Sequence, residues 1–226
     1  MIAVVADAHI GERPGTLPAF RAACDEARAR GAAHFVVLGD LFRFFIGLPG
    51  WRSPEQGEVL GLVRGLKEAG IRTAYIEGNR DFFLRDPALG AVFDFIGDRL
   101  SINEADRQVL LVHGDGLNRR DRSYRLWRAF SKSGLTYGVT RLFPRPLLMP
   151  VYRWAERRLK NTNFQYRKRI PEEDIRAFAA ALEGIDLLVL GHFHEAFSLE
   201  AGAVRVTGLP AFQDTERAVF MPEAAP

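Results

Sequence analysis

Cysteine is nearly absent: Cys24 is the only one in 226 residues. That excludes an intrachain disulfide and any zinc site built on several thiolates. Long apolar runs are missing as well, and none reaches the ~18–20 residues that a membrane-spanning helix requires. The opening run from Ile2 to Ala6 is too short for a secretory leader and meets Asp7 at once. Histidine is scarce, at five residues: His9, His34, His113, His192 and His194. Acidic residues are depleted in one stretch, where only Asp121 and Glu156 lie between Asn118 and Pro171. That stretch holds 15 of the 31 basic residues, which leaves 16 basic against 26 acidic elsewhere. A cationic segment in an anionic body predicts an anionic partner: phosphate groups, nucleic acid or a membrane surface.

What remains is ordinary for a globular chain. A hydrophobic content of 47% over 226 residues suffices for one substantial core with room for one insertion. No internal repeat or low-complexity tract is present. Short apolar runs predict strands at Ile2–Ala6, His34–Leu38, Thr73–Ile76, Val109–Val112 and Asp186–Leu190. Further strands are expected at Phe197–Leu199, Val204–Leu209 and Arg217–Met221. Helical spacing covers Leu17–Arg30 and Pro54–Ala69, a short helix is expected over Pro87–Ile96, and Pro171 with three acids opens another. The Leu41–Gly50 stretch reads as an aromatic-rich loop. Strand–helix alternation of this kind predicts an α/β fold with sites at the carboxyl edge of the sheet.

Each of the five central strands ends in polar residues beside a glycine or an acid: Asp7-Ala8-His9, Gly39-Asp40, Gly78-Asn79-Arg80-Asp81, His113-Gly114-Asp115 and Gly191-His192-Phe193-His194. Gathered at one edge, Asp7, His9, Asp40, Asn79, His113, His192 and His194 form an oxygen and imidazole set without sulfur. Such donors suit Mn, Fe or Zn. Seven are too many for one tetrahedral ion and enough for two ions ~3.5–4 Å apart, the arrangement used for in-line displacement at phosphorus. Asp40, behind Gly39, is the natural carboxylate to be shared. Arg80 follows a candidate ligand directly and suits bidentate capture of a phosphate oxygen pair. Asp81 and Asp115 are read as acceptors that orient ligands.

In this order, the five motifs resemble those of the calcineurin-like metallophosphoesterases. Within that superfamily, Gly78-Asn79-Arg80-Asp81-Phe82, Gly39-Asp40-Leu41-Phe42 with Ile46-Gly47, and His113-Gly114-Asp115 followed by Leu117, Asp121, Tyr124 and Arg128 resemble the UDP-2,3-diacylglucosamine hydrolases of the lipid A pathway. The resemblance implies a four-layer αββα sandwich with mixed sheets and a helical cap insertion. Residues 1–116 and 171–226 would form the core and 117–170 the cap. It also implies two divalent ions, Mn above Fe or Zn. Asp7, His9, Asp40 and His194 would hold one, and Asp40, Asn79, His113 and His192 the other. The catalytic residues implied are Asn79, Arg80 and His113. Substrate contacts are implied for Asn79, Arg80, Asp121, Asn161, Lys168 and His192. Three positions depart from the family pattern: Arg43 replaces an acid, Phe193 replaces Thr, and the tail lacks a Trp-His pair.

The implied reaction is metal-dependent hydrolysis of the pyrophosphate of UDP-2,3-diacylglucosamine. A phosphodiesterase acting on nucleotides or nucleic acid is the second reading, and a non-catalytic membrane- or partner-binding module the third. Within the basic segment, Leu148, Val151, Tyr152, Ala155 and Leu159 share one helical face, while Arg153, Arg157 and Arg158 lie on others. Pro144, Pro146 and Pro150 are expected to divide it into short helices. A cap of this kind would shelter acyl chains and meet an anionic inner-membrane surface from the cytoplasmic side. Nucleic acid is the less favoured partner, and no obligate protein partner is indicated.

Overall fold

The computed structural model describes residues 1–84, 86–119, 122–162 and 170–221, with only the backbone of 153 and 155–162. In chain order the strands are β1 (Ile2–Val5), β2 (His34–Leu38), β3 (Phe45–Ile46), β4 (Arg72–Ile76), β5 (Asp81–Phe82), β6 (Phe95–Gly97), β7 (Arg99–Glu104), β8 (Arg107–Val112), β9 (Leu187–Leu190), β10 (Phe197–Ala201), β11 (Val204–Gly208) and β12 (Val219–Met221). The helices are α1 (Thr16–Ala29), α2 (Pro54–Glu68), α3 (Arg122–Ser131), α4 (Gly134–Leu142), α5 (Arg145–Thr162), α6 (Glu172–Ala180) and α7 (Phe212–Thr215).

Two five-stranded mixed sheets result, in the orders β12-β1-β2-β4-β6 and β10-β11-β9-β8-β7. Side-chain alternation explains how they stack. Ile2, Val4, Val36, Leu38 and Ile76 on one face of the first sheet pack with Val109, Leu111 and Val189 of the second. The opposite face of the first sheet, with Ala3, Val5, Phe35 and Val37, is covered by Phe20, Ala23 and Ala27 of α1 and Val59, Val63 and Leu66 of α2. The outer face of the second sheet, with Leu110, Leu188, Leu190 and Val206, receives Ile175 and Ala179 of α6. The order of layers is therefore helix, sheet, sheet, helix, as expected.

Three local expectations are corrected. The helix expected over Pro87–Ile96 is a single 3₁₀ turn, Pro87–Leu89, followed by β6 paired parallel to β4. Asp94 and the Val92 carbonyl are held to Thr73, whose N–H meets Asp94 Oδ2 at 2.9 Å and whose hydroxyl meets Val92 O at 2.7 Å. These long-range bonds outweigh local helical spacing. The aromatic-rich loop contains β3, which pairs with β5. Pro150 sits inside α5 rather than ending it. Pro146 falls in the first turn, where no amide donor is needed, and Pro150 forfeits only one early bond.

Helices α3–α5 are tied to the strand ends through side chains. Tyr152 and Leu148 pack with Phe44, Ile46, Trp51 and Phe82. Val151, read from sequence as part of the same face, is 57% exposed, and the side chains of Ala155 and Leu159 lie outside the described residues. Arg128 and Tyr124 both donate to Asp115, Arg128 Nε at 2.8 Å. Lys132 Nζ donates to the Gly78 carbonyl at 2.8 Å.

Candidate metal centre

Backbone bonds lace the loops that follow the parallel strands. Asp7 N–H donates to Gly39 O at 3.2 Å, His9 N–H to Asp40 O at 3.0 Å, and Ile10 N–H to Leu41 O at 2.9 Å. Phe45 N–H donates to Arg80 O at 3.0 Å, and Gly191 N–H to His113 O at 3.1 Å. This lacing brings the ends of β1, β2, β4, β8 and β9 together.

The loops are strained where the polar residues sit. Asp7, His9, Asp40, His192 and His194 have φ between 45° and 68°, in the left-handed region. Asp and His enter it more readily than most side chains, yet each costs of order 1 kcal/mol. Five of the nine non-glycine residues with positive φ among those described are thus candidate ligands. Such strain persists only where packing over-determines it, and it marks functional sites.

Two ligand groups result. Asp7, His9 and His194 converge in one, and Asp7, Asp40 and His113 in the other. In the first, Asp7 Oδ1 is 3.4 Å from His194 Nε2 and 3.8 Å from His9 Nε2, and the two imidazole nitrogens are 3.2 Å apart. In the second, His113 Nε2 lies 3.8 Å from Asp40 Oδ1 and 3.4 Å from Asn79 Oδ1. The His192 ring stands edge-on to His113 with centroids 5.2 Å apart. Asp7 belongs to both groups, and Asp40 stands beside it in the second. The backbone N–H of Arg80 reaches Asp40 Oδ1 at 2.8 Å, and its Nε stands 3.6 Å from Oδ2.

Electrostatics follow from burial and proximity. Burial raises Asp7, but the imidazoles of His113, His194 and His9 outweigh it and hold the carboxyl below its usual range. Burial pushes His9 down to about 4, and likewise His192, where the neighbouring His113 adds to the effect. Burial also opposes the charge on His113, but Asp7 and then Asp40 raise it to about 8. His113 Nδ1 faces the Leu38 carbonyl at 2.9 Å, an acceptor only. Nδ1 therefore carries the proton, and in the neutral ring Nε2 offers its lone pair to the centre.

Glycines make the room. A Cβ at Gly39 would lie 2.2 Å from His113 Nδ1, and one at Gly191 would lie 2.9 Å from Asp7 Oδ2. Asp81, fully buried, accepts the N–H of Asp40 at 2.9 Å, the N–H of Gly78 at 2.8 Å and the hydroxyl of Tyr75 at 2.8 Å. Its expected role as an orienting acceptor is seen in those bonds. Asp115 accepts from Tyr124 and Arg128 and so anchors α3. Sequence reading missed Tyr75, which looks like one more core aromatic, and Glu12, which forms an ion pair with Arg80. Asp121 and Lys168 lie outside the described residues, as does the side chain of Asn161.

The model of the calcineurin-like phosphoesterase family matches residues 1–196. The chain belongs to that family. Its relatives include the UDP-2,3-diacylglucosamine hydrolase of Pseudomonas putida, 32% identical over 202 residues, covering 86% of this chain and 82% of the relative. The hydrolase of the same name from Pseudomonas paraeruginosa is 30% identical over 214 residues, covering 92% and 86%. Among solved structures, Yfce, a phosphoesterase from E. coli, has a TM-score of 0.45 at 16% identity, covering 99% of this chain and 83% of its own.

Calcineurin-like phosphoesterases are metal-dependent hydrolases, and membership implies divalent ions here. The residues present fit them. Asp7 Oδ1 and His9 Nδ1 are buried without a hydrogen-bond partner. An orphaned buried carboxylate oxygen facing two imidazoles is costly unless a cation sits against it.

Proposed function

We propose that this phosphoesterase hydrolyses the pyrophosphate bond of UDP-2,3-diacylglucosamine, giving UMP and 2,3-diacylglucosamine 1-phosphate. The observation that carries the reading is Arg80, held against Asp40 at the rim of the carboxylate–imidazole centre, in a chain about 30% identical to relatives bearing that name. Asp7, His9, Asp40 and His194 would hold one ion and Asp40, Asn79, His113 and His192 the other, with Asp40 shared between them. Mn is the ion we favour for this sulfur-free donor set. Bound there, divalent ions polarise phosphoryl oxygens and bring the pKa of water near neutrality. The protein's own part is positional. His113 presents Nε2 because Leu38 O holds Nδ1. Asn79 and Arg80 offer an amide and a guanidinium to the diphosphate, where charge-assisted donors are strongest.

Residues 117–170 serve in this reading as a cap that shelters acyl chains and meets the anionic inner face of the cytoplasmic membrane. Of the ten large hydrophobic side chains exposed among the described residues, nine lie between Leu126 and Trp154. Leu135, Val139 and Leu142 form one stripe at helical spacing, and Leu147, Val151 and Trp154 another. None of the described helices is long and apolar enough to cross a membrane. An apolar stripe among arginines instead suits lying at a headgroup boundary. The chain is expected to float with phosphatidylglycerol vesicles, less so at high salt, and not with phosphatidylcholine vesicles. Equal failure with both would overturn the docking role.

The test of the chemistry is Mn-dependent turnover of UDP-2,3-diacylglucosamine, UDP-N-acetylglucosamine and an aryl phosphodiester, with His113→Ala as the contamination control. Release of UMP from the acylated substrate alone is expected. Comparable cleavage of the aryl diester would keep the phosphoesterase and overturn the lipid assignment.

A further inference from the structure

We infer that Glu12 is a positioning residue that keeps the Arg80 guanidinium from closing on Asp40, an inference that rests on Asp40 being a metal ligand as proposed above. Arg80 meets Asp40 through both its amide and its Nε, and the two side chains are only 13% and 2% exposed. A guanidinium beside a carboxylate in so shielded a place is attracted far more strongly than at the surface. Any cation that uses Asp40 Oδ2 must compete with the guanidinium for it.

Glu12 supplies the opposing pull. Its carboxylate accepts a charge-assisted bond from Arg80 Nη1, and the carboxylate side chain is itself only 21% exposed. The Arg43 carbonyl takes a longer contact from the same nitrogen, at 3.4 Å. Glu12 is placed by the backbone that carries a candidate ligand. Its N–H donates to His9 O at 3.0 Å, closing a four-residue turn in which Gly11 has φ +92°. That third turn position needs a positive φ, which glycine takes without strain. The guanidinium is therefore stretched between a carboxylate tied to His9 and the carboxylate of Asp40. Removing the first pull leaves the attraction of Asp40 for the guanidinium opposed by one carboxylate fewer.

The test is calorimetric Mn²⁺ titration of metal-stripped wild type, Glu12→Gln, Arg80→Ala and the double variant, alongside turnover. Glu12→Gln is expected to weaken Mn²⁺ binding roughly 10- to 100-fold, the range typical of groups that orient metal ligands. Arg80→Ala in the Glu12→Gln background is expected to restore the affinity, because no guanidinium remains to occupy Asp40. A double variant as weak as Glu12→Gln would mean that Glu12 only supports its loop, and would overturn the inference. Equal affinity in wild type and Glu12→Gln would overturn it too. No Mn²⁺ binding by wild type would instead overturn the metal centre itself.

Discussion

Gly78→Ala is expected to lower turnover by roughly 100-fold or more, the scale of loss when a catalytic group is displaced by about 1 Å. A Cβ at Gly78 would fall 2.2 Å from Asp40 Oδ1, 2.7 Å from Asp40 N and 2.9 Å from His113 Nε2. The Asp40 amide cannot retreat cheaply, because it is bonded to Asp81 Oδ2 at 2.9 Å. The Asp40 carboxylate must therefore swing out, or the Gly78 loop must shift and drag Asn79 and Arg80 with it. Overpacking of this kind costs about 1–3 kcal/mol of stability, so the variant should still fold. Gly61→Ala on α2 is the matched control. Its Cβ would meet nothing within 4 Å, and alanine is preferred there by about 1 kcal/mol. Mn²⁺ affinity and kcat measured on both variants decide the matter. Wild-type values for Gly78→Ala would show that Asp40 is not needed where it stands.

Asp81→Ala is expected to destabilise the metal-free protein by about 3–5 kcal/mol, in the range reserved for broken buried networks. The substitution strands the N–H groups of Asp40 and Gly78 and the hydroxyl of Tyr75 in a site with no solvent access. Burial first, and then the Asp40 carboxylate, push Asp81 up to about 7, against the pull of those two backbone donors and Lys132. Tyr75 is coupled to the same network, since its oxygen also accepts the Leu41 N–H at 3.3 Å. Asp81→Asn keeps one acceptor for the two amides and is expected to lose about half as much. Urea unfolding of the three proteins measures this directly. A loss below about 1 kcal/mol for Asp81→Ala would show that the loop ends at Asp40 and Gly78 stand without it.

Much of this architecture is legible in the chain because burial on both faces leaves uninterrupted apolar runs. The β2 run His34–Leu38 agrees residue for residue with its sequence expectation, and the neighbouring β4 to within one residue. The half-exposed edge strands are a different matter. β7 alternates between exposed and partly buried residues with only Ile102 buried, so it carries no run to read. Its hairpin with β8 turns through Ala105 and Asp106 at φ 50° and 60°, without the glycine or asparagine that normally signals such a turn. β6 exists because Thr73 holds the segment before it, and no local pattern reveals that.

The same division runs through the site. Sequence alone determined which donors end the strands, because a strand end is a local event, whereas the clashes that require glycine at 39, 78 and 191 are with residues far along the chain. Only the tertiary structure decided who faces whom. His9 and His194 touch across 185 residues, and Arg80 and Glu12 across 68. The parallel register that sets Ile2 beside His34 and His34 beside Arg72 carries Asp7, Asp40 and Asn79 to one edge. From that register come the sharing of Asp7 between two ligand groups, the hold of Arg80 on Asp40 and the place of Tyr75 beneath Asp81. Hydrogen bonds across a sheet obey strand order and register, and neither is written in the spacing of residues along one strand.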